Sequence, residues 1–183
     1  MKGIVFREFF NMVEELHSDE LLDRIIVKAD LPSGGAYTTA GTYPHEELVK
    51  VLVALSEEIQ TPVPELLNAF GRYLVPVFKS KFPMLFEKHR DPLDFLAAVD
   101  GFVHVEVRKL YPEAELPRFI CHRVGPDTLH MDYLSSRHLE DLADGLIRGT
   151  LDLFGAGGLI SREPVELPDG AAAVRFTIAL ERN

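Results

Sequence analysis

Cysteine and long apolar runs are scarce in this chain of 183 residues. Cys121 is the only cysteine, which excludes a disulfide within the chain and a cysteine-rich zinc site. No apolar run approaches the length of a membrane span. The N-terminal segment lacks the small-residue cleavage site of a signal peptide. These absences favour a cytoplasmic protein that does not enter the membrane.

Positively charged residues are also few. The chain has 19 Lys and Arg against 29 Asp and Glu, a formal net charge of −10, and no basic stripe. Nucleic acids and anionic membrane surfaces bind proteins by pairing phosphates with Lys and Arg, so neither is expected as a partner. With 46% apolar and 26% charged residues, the composition is that of an ordinary globular domain.

Apolar residues recur at helical spacing through the first two-thirds of the chain, apart from the Gly- and Thr-rich loop 31–44. Gly71 and Pro76 interrupt one of these segments and predict a bend there. The helices that we predict cover residues 2–16, a segment capped by Ser18, residues 45–60, the segment after Thr61, and residues 91–112.

After Pro117 the pattern changes to short alternating segments separated by turns. The predicted elements are strands 118–124 and 128–136, helix 138–154, and strands 159–167 and 171–181. This order predicts an α+β fold in which an N-terminal helical subdomain packs on a C-terminal subdomain with a four-stranded antiparallel sheet.

Tyr133, Ser135 and Arg137 occupy alternate positions at the end of a predicted strand. Alternate side chains share one face of a strand, so these residues would present two hydroxyls and a guanidinium in a row. Such a row can bind carboxylates or phosphates, because Arg forms bidentate, charge-assisted hydrogen bonds with them. The alternative is a solvated strand face with no ligand.

His104 lies at the margin of the apolar stripe of the predicted helix 91–112, one turn after Asp100. A neutral imidazole in that position can ligate a metal through one ring nitrogen. It can equally be a half-buried histidine bonded to a carbonyl, and the helix pattern by itself leaves both readings open.

Taken together, His104, the Leu-Pro pair at 116–117 and the Tyr-x-Ser-x-Arg motif resemble the haem nitric oxide/oxygen-binding family, known as H-NOX or HNOB. The resemblance spans the chain and is carried by the MKG start and by five further stretches, AFGRYL, DGFVHVEVRKLYP, LPRF, DYLSSR and DLADGLIRG. It implies a single domain over 1–183, with a mainly helical distal subdomain (1–60), a proximal α/β subdomain (61–183) and haem b between them.

The resemblance also implies roles for individual residues. His104 matches the proximal ligand of the haem iron, and Tyr133, Ser135 and Arg137 match the residues that hold the haem propionates. The remaining matches are the proline that presses on the porphyrin (Pro117), the pocket lining (Val5, Phe9, Leu74, Phe78, Leu142 and Leu146) and the hinge glycines (Gly71 and Gly145).

One departure from the family pattern bears on the choice of gas. Members that bind O2 stably have a distal tyrosine nine positions beyond the tyrosine of the motif, and here that position is Leu142. Leucine donates no hydrogen bond, so the resemblance implies NO and CO binding with little O2 binding. Tyr73 and Tyr37 are the two other hydroxyls that could enter the pocket. No zinc site is expected.

The mechanism that the resemblance implies is a switch. NO weakens the bond between iron and His104, and the subdomains then shift against each other. The signal would pass to a separate protein, either a histidine kinase or a cyclic-di-GMP synthase or phosphodiesterase. Two alternatives remain, a haem enzyme that consumes peroxide or NO and a haem-free module that binds carboxylates or lipid headgroups.

Overall fold

The computed structural model describes residues 1–181 and shows helices together with one four-stranded antiparallel sheet, which confirms the α+β class. The chain divides into two compact units, Met1–Phe70 and a second unit that begins at Gly71. The elements are α1 Gly3–Leu16, α2 Asp19–Ala29, α3 His45–Ile59, α4 Val63–Lys81, α5 Pro92–Ala98, α6 His104–Leu110, β1 Arg118–Gly125, β2 Thr128–Leu134, α7 Glu140–Phe154, β3 Gly158–Glu166 and β4 Ala172–Leu180.

In the first unit, α2 packs against both α1 and α3. The Ser18 hydroxyl caps α2 by accepting the Leu21 N–H at 3.2 Å, as the sequence predicted. The loop before α3 is tied to that helix by Tyr37, whose hydroxyl donates to the buried carboxylate of Glu47 at 2.7 Å. None of the helices within residues 1–181 is long and apolar enough to cross a bilayer.

The sheet of the second unit has the strand order β1-β2-β4-β3, with every neighbouring pair antiparallel. The two predicted hairpins are therefore present, and β2 and β4 join them. One face of the sheet packs on α5 and α7. The buried cluster there consists of Leu93, Leu96, Leu129, Met131, Tyr133, Ala143, Ile147, Leu151, Phe176 and Ile178.

A charged pair crosses from β2 to β4 beside the predicted binding motif. Asp132 is only 1% exposed, and its two carboxylate oxygens accept from Arg175 Nε at 2.7 Å and Nη2 at 2.8 Å. This bidentate pairing satisfies a carboxylate that would be costly to bury alone. It therefore holds β2 in register on β4 one residue before Tyr133.

Helices α4 and α7 approach each other so closely that backbone touches backbone. A Cβ atom added to Gly71 would lie 2.5 Å from the Leu142 carbonyl oxygen and 2.6 Å from the Leu146 nitrogen. One added to Gly149 would lie 3.0 Å from the Arg72 Cα atom. Glycine at these positions is what lets the two helices meet.

The predicted helix over 91–112 is present as one helical run from Pro92 to Leu110, but it is not α-helical throughout. The structure has α5, then a π-helical segment at Val99–Val103, then α6, which begins at His104. A π-helical turn accommodates one extra residue, and such turns often occur at functional sites. Asp100 within this segment bonds to the start of β1, a contact distant in sequence that helical periodicity does not report.

The predicted extent of the second strand was wrong. Strand β2 ends at Leu134, so Ser135 and Arg137 lie beyond it in a turn, and the one-face row of three donors does not exist. The Ser135 hydroxyl accepts the Arg137 N–H at 3.1 Å, a local bond that competes with the strand ladder. His138 follows with a left-handed φ of 50°, which turns the chain toward α7.

Candidate functional site

His104 is a buried imidazole at the first residue of α6, immediately after the π-helical segment. Burial lowers its pKa, and the Asp100 carboxylate offsets part of that shift. Its Nδ1 lies 3.4 Å from Asp100 Oδ1. When Nδ1 carries the proton of a neutral imidazole, Nε2 keeps the lone pair that a metal ion requires.

The start of β1 connects His104 to Tyr133. Asp100 Oδ1 also accepts the Phe119 N–H at 3.2 Å, and the backbone carbonyl of Pro117 lies close enough to His104 to raise its pKa slightly against the effect of burial. The Phe119 ring centroid lies 5.7 Å from that of His104 and 5.6 Å from that of Tyr133. Histidine, proline and tyrosine, which are separated in sequence, therefore form one contiguous group.

Asp100 and Phe119 have no predicted role in the sequence reading. A signal for Asp100 was present, because it precedes His104 by four residues, the spacing at which side chains meet on a helix. Nothing local marks Phe119, since its position depends on the pairing of β1 with β2, where it lies opposite Tyr133.

Tyr133, Ser135 and Arg137 do come together, although by a turn rather than along a strand. Tyr133 is buried, which raises its pKa, while hydrogen bonds with Ser135 and with the backbone of Leu139 act in the opposite direction. Ser135 in turn accepts the Arg137 N–H. The result is a compact group of two hydroxyls and a guanidinium at the end of β2.

The Arg137 guanidinium is already paired with a carboxylate in this structure. Its Nη2 lies 2.7 Å from Glu115 Oε2, and Glu115 belongs to the irregular segment between α6 and β1. Glu115 could not be predicted as the partner of Arg137, because nothing local links an acid before the Leu-Pro pair to an arginine 22 residues later.

The predicted pocket residues divide between the two units. Leu74 and Phe78 lie on α4, and Leu142 and Leu146 lie on α7, where the close approach at Gly71 brings these helices together. Phe78 and Leu146 pack against the same buried cluster, which contains Val75, Leu85, Phe86 and Phe95.

In the first unit, Val5 and Phe9 lie on α1. Val5 is half-buried, while Phe9 is fully buried with its ring centroid 5.1 Å from that of Phe70. The pocket and hinge roles assigned to all these residues stay predictions.

The donor set limits which cofactor can fit. Within residues 1–181 no three His, Cys, Asp or Glu side chains come together around a metal position, so a metal on His104 would take its other ligands from outside the chain. A porphyrin brings four nitrogen ligands together with two carboxylates. The hydroxyls of Tyr133 and Ser135 and the guanidinium of Arg137 are suited to bind those carboxylates.

Comparison with known proteins agrees with this donor set. The model of the family described as haem-NO-binding (HNOB) matches residues 2–159. The chain belongs to the H-NOX family. This family has the fold of a haem-based gas sensor, and its members bind haem and gases such as NO.

Solved H-NOX structures resemble this chain over its full length. The unliganded Fe(II) H-NOX protein from K. algicida is 36% identical, with a TM-score of 0.91 and coverage of 100% of this chain and 98% of that one. The H-NOX protein from S. oneidensis in the Fe(II)NO state is 25% identical, with a TM-score of 0.90 and full coverage of both chains. No curated protein matches the chain.

Proposed function

We propose that this H-NOX domain is a haem b sensor that binds NO and CO, binds little O2, and signals to a separate protein. The observation that carries the proposal is the contiguous group of His104, Phe119 and Tyr133, which joins a buried imidazole of lowered pKa to a cluster of hydroxyls and a guanidinium suited to carboxylates. A haem-free module for carboxylates would need the cluster but not the imidazole.

In this proposal His104 holds the iron, while Tyr133, Ser135 and Arg137 hold the propionates. Haem would supply an iron centre that can bind a diatomic gas. Asp100 keeps the His104 ring oriented through Nδ1, and it is itself held by the Phe119 N–H. Pro117, whose backbone carbonyl acts to raise the pKa of His104, is expected to press on the porphyrin.

The proposed choice of gas depends on the lack of a hydrogen-bond donor at position 142. Stable O2 binding depends on such a donor beside the gas much more than NO binding does, and Leu142 has none to offer. Of the two other candidate hydroxyls, that of Tyr37 already donates to Glu47. The other expected lining residues of α4 and α7 (Leu74, Phe78 and Leu146) are apolar, which also disfavours an enzyme, because peroxide or NO turnover needs a distal acid–base group.

Signal output in this proposal begins at His104. A change in its bond to the iron would act on the first residue of α6 and, through Asp100, on the start of β1. Gly71 and Gly145, where α4 meets α7, are the proposed pivots. The partner that we propose is a histidine kinase or a cyclic-di-GMP synthase or phosphodiesterase.

Visible spectroscopy of the reduced, purified protein tests this function. We expect a ferrous haem spectrum that changes with CO and with NO and stays unchanged in air-saturated buffer before autoxidation. The variant His104→Gly should lose haem on gel filtration and regain it when imidazole is supplied. A colourless wild-type protein, or a stable O2 complex, would contradict the proposal.

A further inference from the structure

We propose that Glu115 is a displaceable carboxylate that pairs with Arg137 and competes with the cofactor's carboxylate for the guanidinium. This inference rests on the proposed function, because it assumes that Arg137 receives a propionate. It assigns a role to a residue outside the Tyr-x-Ser-x-Arg motif.

The first observation is the contrast in burial between the two partners. The Arg137 side chain is 15% exposed, whereas that of Glu115 is 86% exposed, and their charged atoms lie 2.7 Å apart. A guanidinium that has lost most of its water needs an anion nearby. Over residues 1–181, Glu115 is the one carboxylate that pairs with it.

The second observation is where Glu115 lies. It belongs to an irregular segment, between the end of α6 at Leu110 and the start of β1 at Arg118, and its side chain extends into water. An exposed carboxylate loses little when it leaves such a pair, because water solvates it and surface ion pairs are weak. Glu115 can therefore withdraw, while the largely buried Arg137 cannot.

The third observation is chemical. Glu115 and a propionate present the same group, a carboxylate that accepts from the fork of a guanidinium. A propionate bound at Arg137 would also experience repulsion from Glu115 if the glutamate stayed nearby. Glu115 is thus expected to compete with a bound propionate for Arg137 and so to weaken the retention of haem.

A rate of haem loss measures this competition directly. Purified ferric holoprotein is mixed with excess apomyoglobin as a haem acceptor, and transfer is followed by absorbance for wild type, Glu115→Gln and Glu113→Gln. Glu113 is the matched control, since it lies in the same segment, is exposed, and has no ion pair among residues 1–181. We expect haem loss about two- to five-fold slower in Glu115→Gln than in wild type, the scale of an exposed ion pair, and unchanged in Glu113→Gln.

Two further conditions separate competition from a structural effect. In ~1 M salt, where the Debye length is about 3 Å, the advantage of Glu115→Gln should shrink toward one-fold. On an Arg137→Met background, Glu115→Gln should no longer slow haem loss. Equal rates of haem loss in the two glutamine variants, or faster loss in Glu115→Gln than in wild type, would overturn the inference and leave the proposed function intact. A wild-type protein that takes up no haem would overturn both.

Discussion

At the scale of single residues, burial decides the chemistry of His104. An exposed histidine is protonated over part of the range near neutral pH, but loss of water lowers the pKa of His104 and favours the neutral ring that can ligate a metal. Cys121 shows the same effect with a different outcome. Burial raises the pKa of its thiol to about 12, so the thiolate that would be needed for metal binding or redox chemistry is scarce at neutral pH.

The side chain at position 142 is the one on which the proposed choice of gas depends. Leu142→Tyr would supply the hydroxyl that the proposed gas site lacks, and we expect the reduced variant to form an O2 complex in air that wild type does not form. Leu142→Phe is the matched control, because it adds the same ring without the donor. Spectra recorded during slow addition of air-saturated buffer measure both.

If the hydroxyl is what stabilises bound O2, Leu142→Tyr must bind O2 better than Leu142→Phe. If Leu142→Phe bound O2 as well as Leu142→Tyr, added volume and not a hydrogen bond would control the gas, and the role proposed for Leu142 would be wrong. If neither variant bound O2, position 142 would not lie beside the gas.

At the scale of elements, the contact between α4 and α7 depends on glycines. Gly71→Ala would place a methyl group 2.5 Å from a backbone oxygen of α7, and backbone cannot move as a flexible side chain does. We expect the free energy of unfolding of the apoprotein to fall by about 1–3 kcal/mol, as is typical of overpacking. Urea unfolding followed by circular dichroism measures the change.

Gly101→Ala provides the control for this prediction. Gly101 also lies in a helical segment, but a Cβ atom there would meet nothing within 4 Å. Its replacement should leave stability unchanged or raise it by up to about 1 kcal/mol, because alanine loses less backbone entropy than glycine. Equal destabilisation by both variants would mean that backbone conformation, rather than the contact between helices, makes glycine necessary.

Most elements could be predicted because their signals are local. The cap at Ser18 and the turns between the strands are short-range features, and the structure confirms them. The π-helical segment and the early end of β2 could not be predicted in this way. The π-helical segment carries Asp100, whose carboxylate accepts from the backbone of a strand 19 residues later. Strand β2 ends early because the Ser135 hydroxyl accepts a backbone N–H from within the turn that follows.

At the scale of the whole molecule, the proposed cofactor should act as a stabilising ligand. A ligand that binds only the folded state raises the free energy of unfolding by about 4 kcal/mol when its free concentration is one thousand times its Kd. For a chain of this size about 2–4 °C of melting temperature corresponds to 1 kcal/mol. We therefore expect haem removal to lower the Tm by on the order of 10 °C, as measured by differential scanning calorimetry.

The control for haem removal is His104→Gly, with and without added haem. Added haem should raise the Tm of this variant only slightly, and added imidazole should restore part of the rise seen in wild type. Equal Tm values for apoprotein and holoprotein would mean that haem binds the folded and unfolded chain alike, contrary to a built site.

The sequence by itself determined the class of the fold, the order of the hairpins and the residue types that a haem site requires. These features depend on local periodicity and on the chemical properties of individual side chains. Tertiary structure alone decided how the site is assembled. Strand pairing placed Phe119 between His104 and Tyr133, a turn rather than a strand face gathered Ser135 and Arg137, and Glu115 reached the guanidinium from outside. These contacts join residues distant in sequence or depend on which groups lose water, and neither property can be read from local spacing.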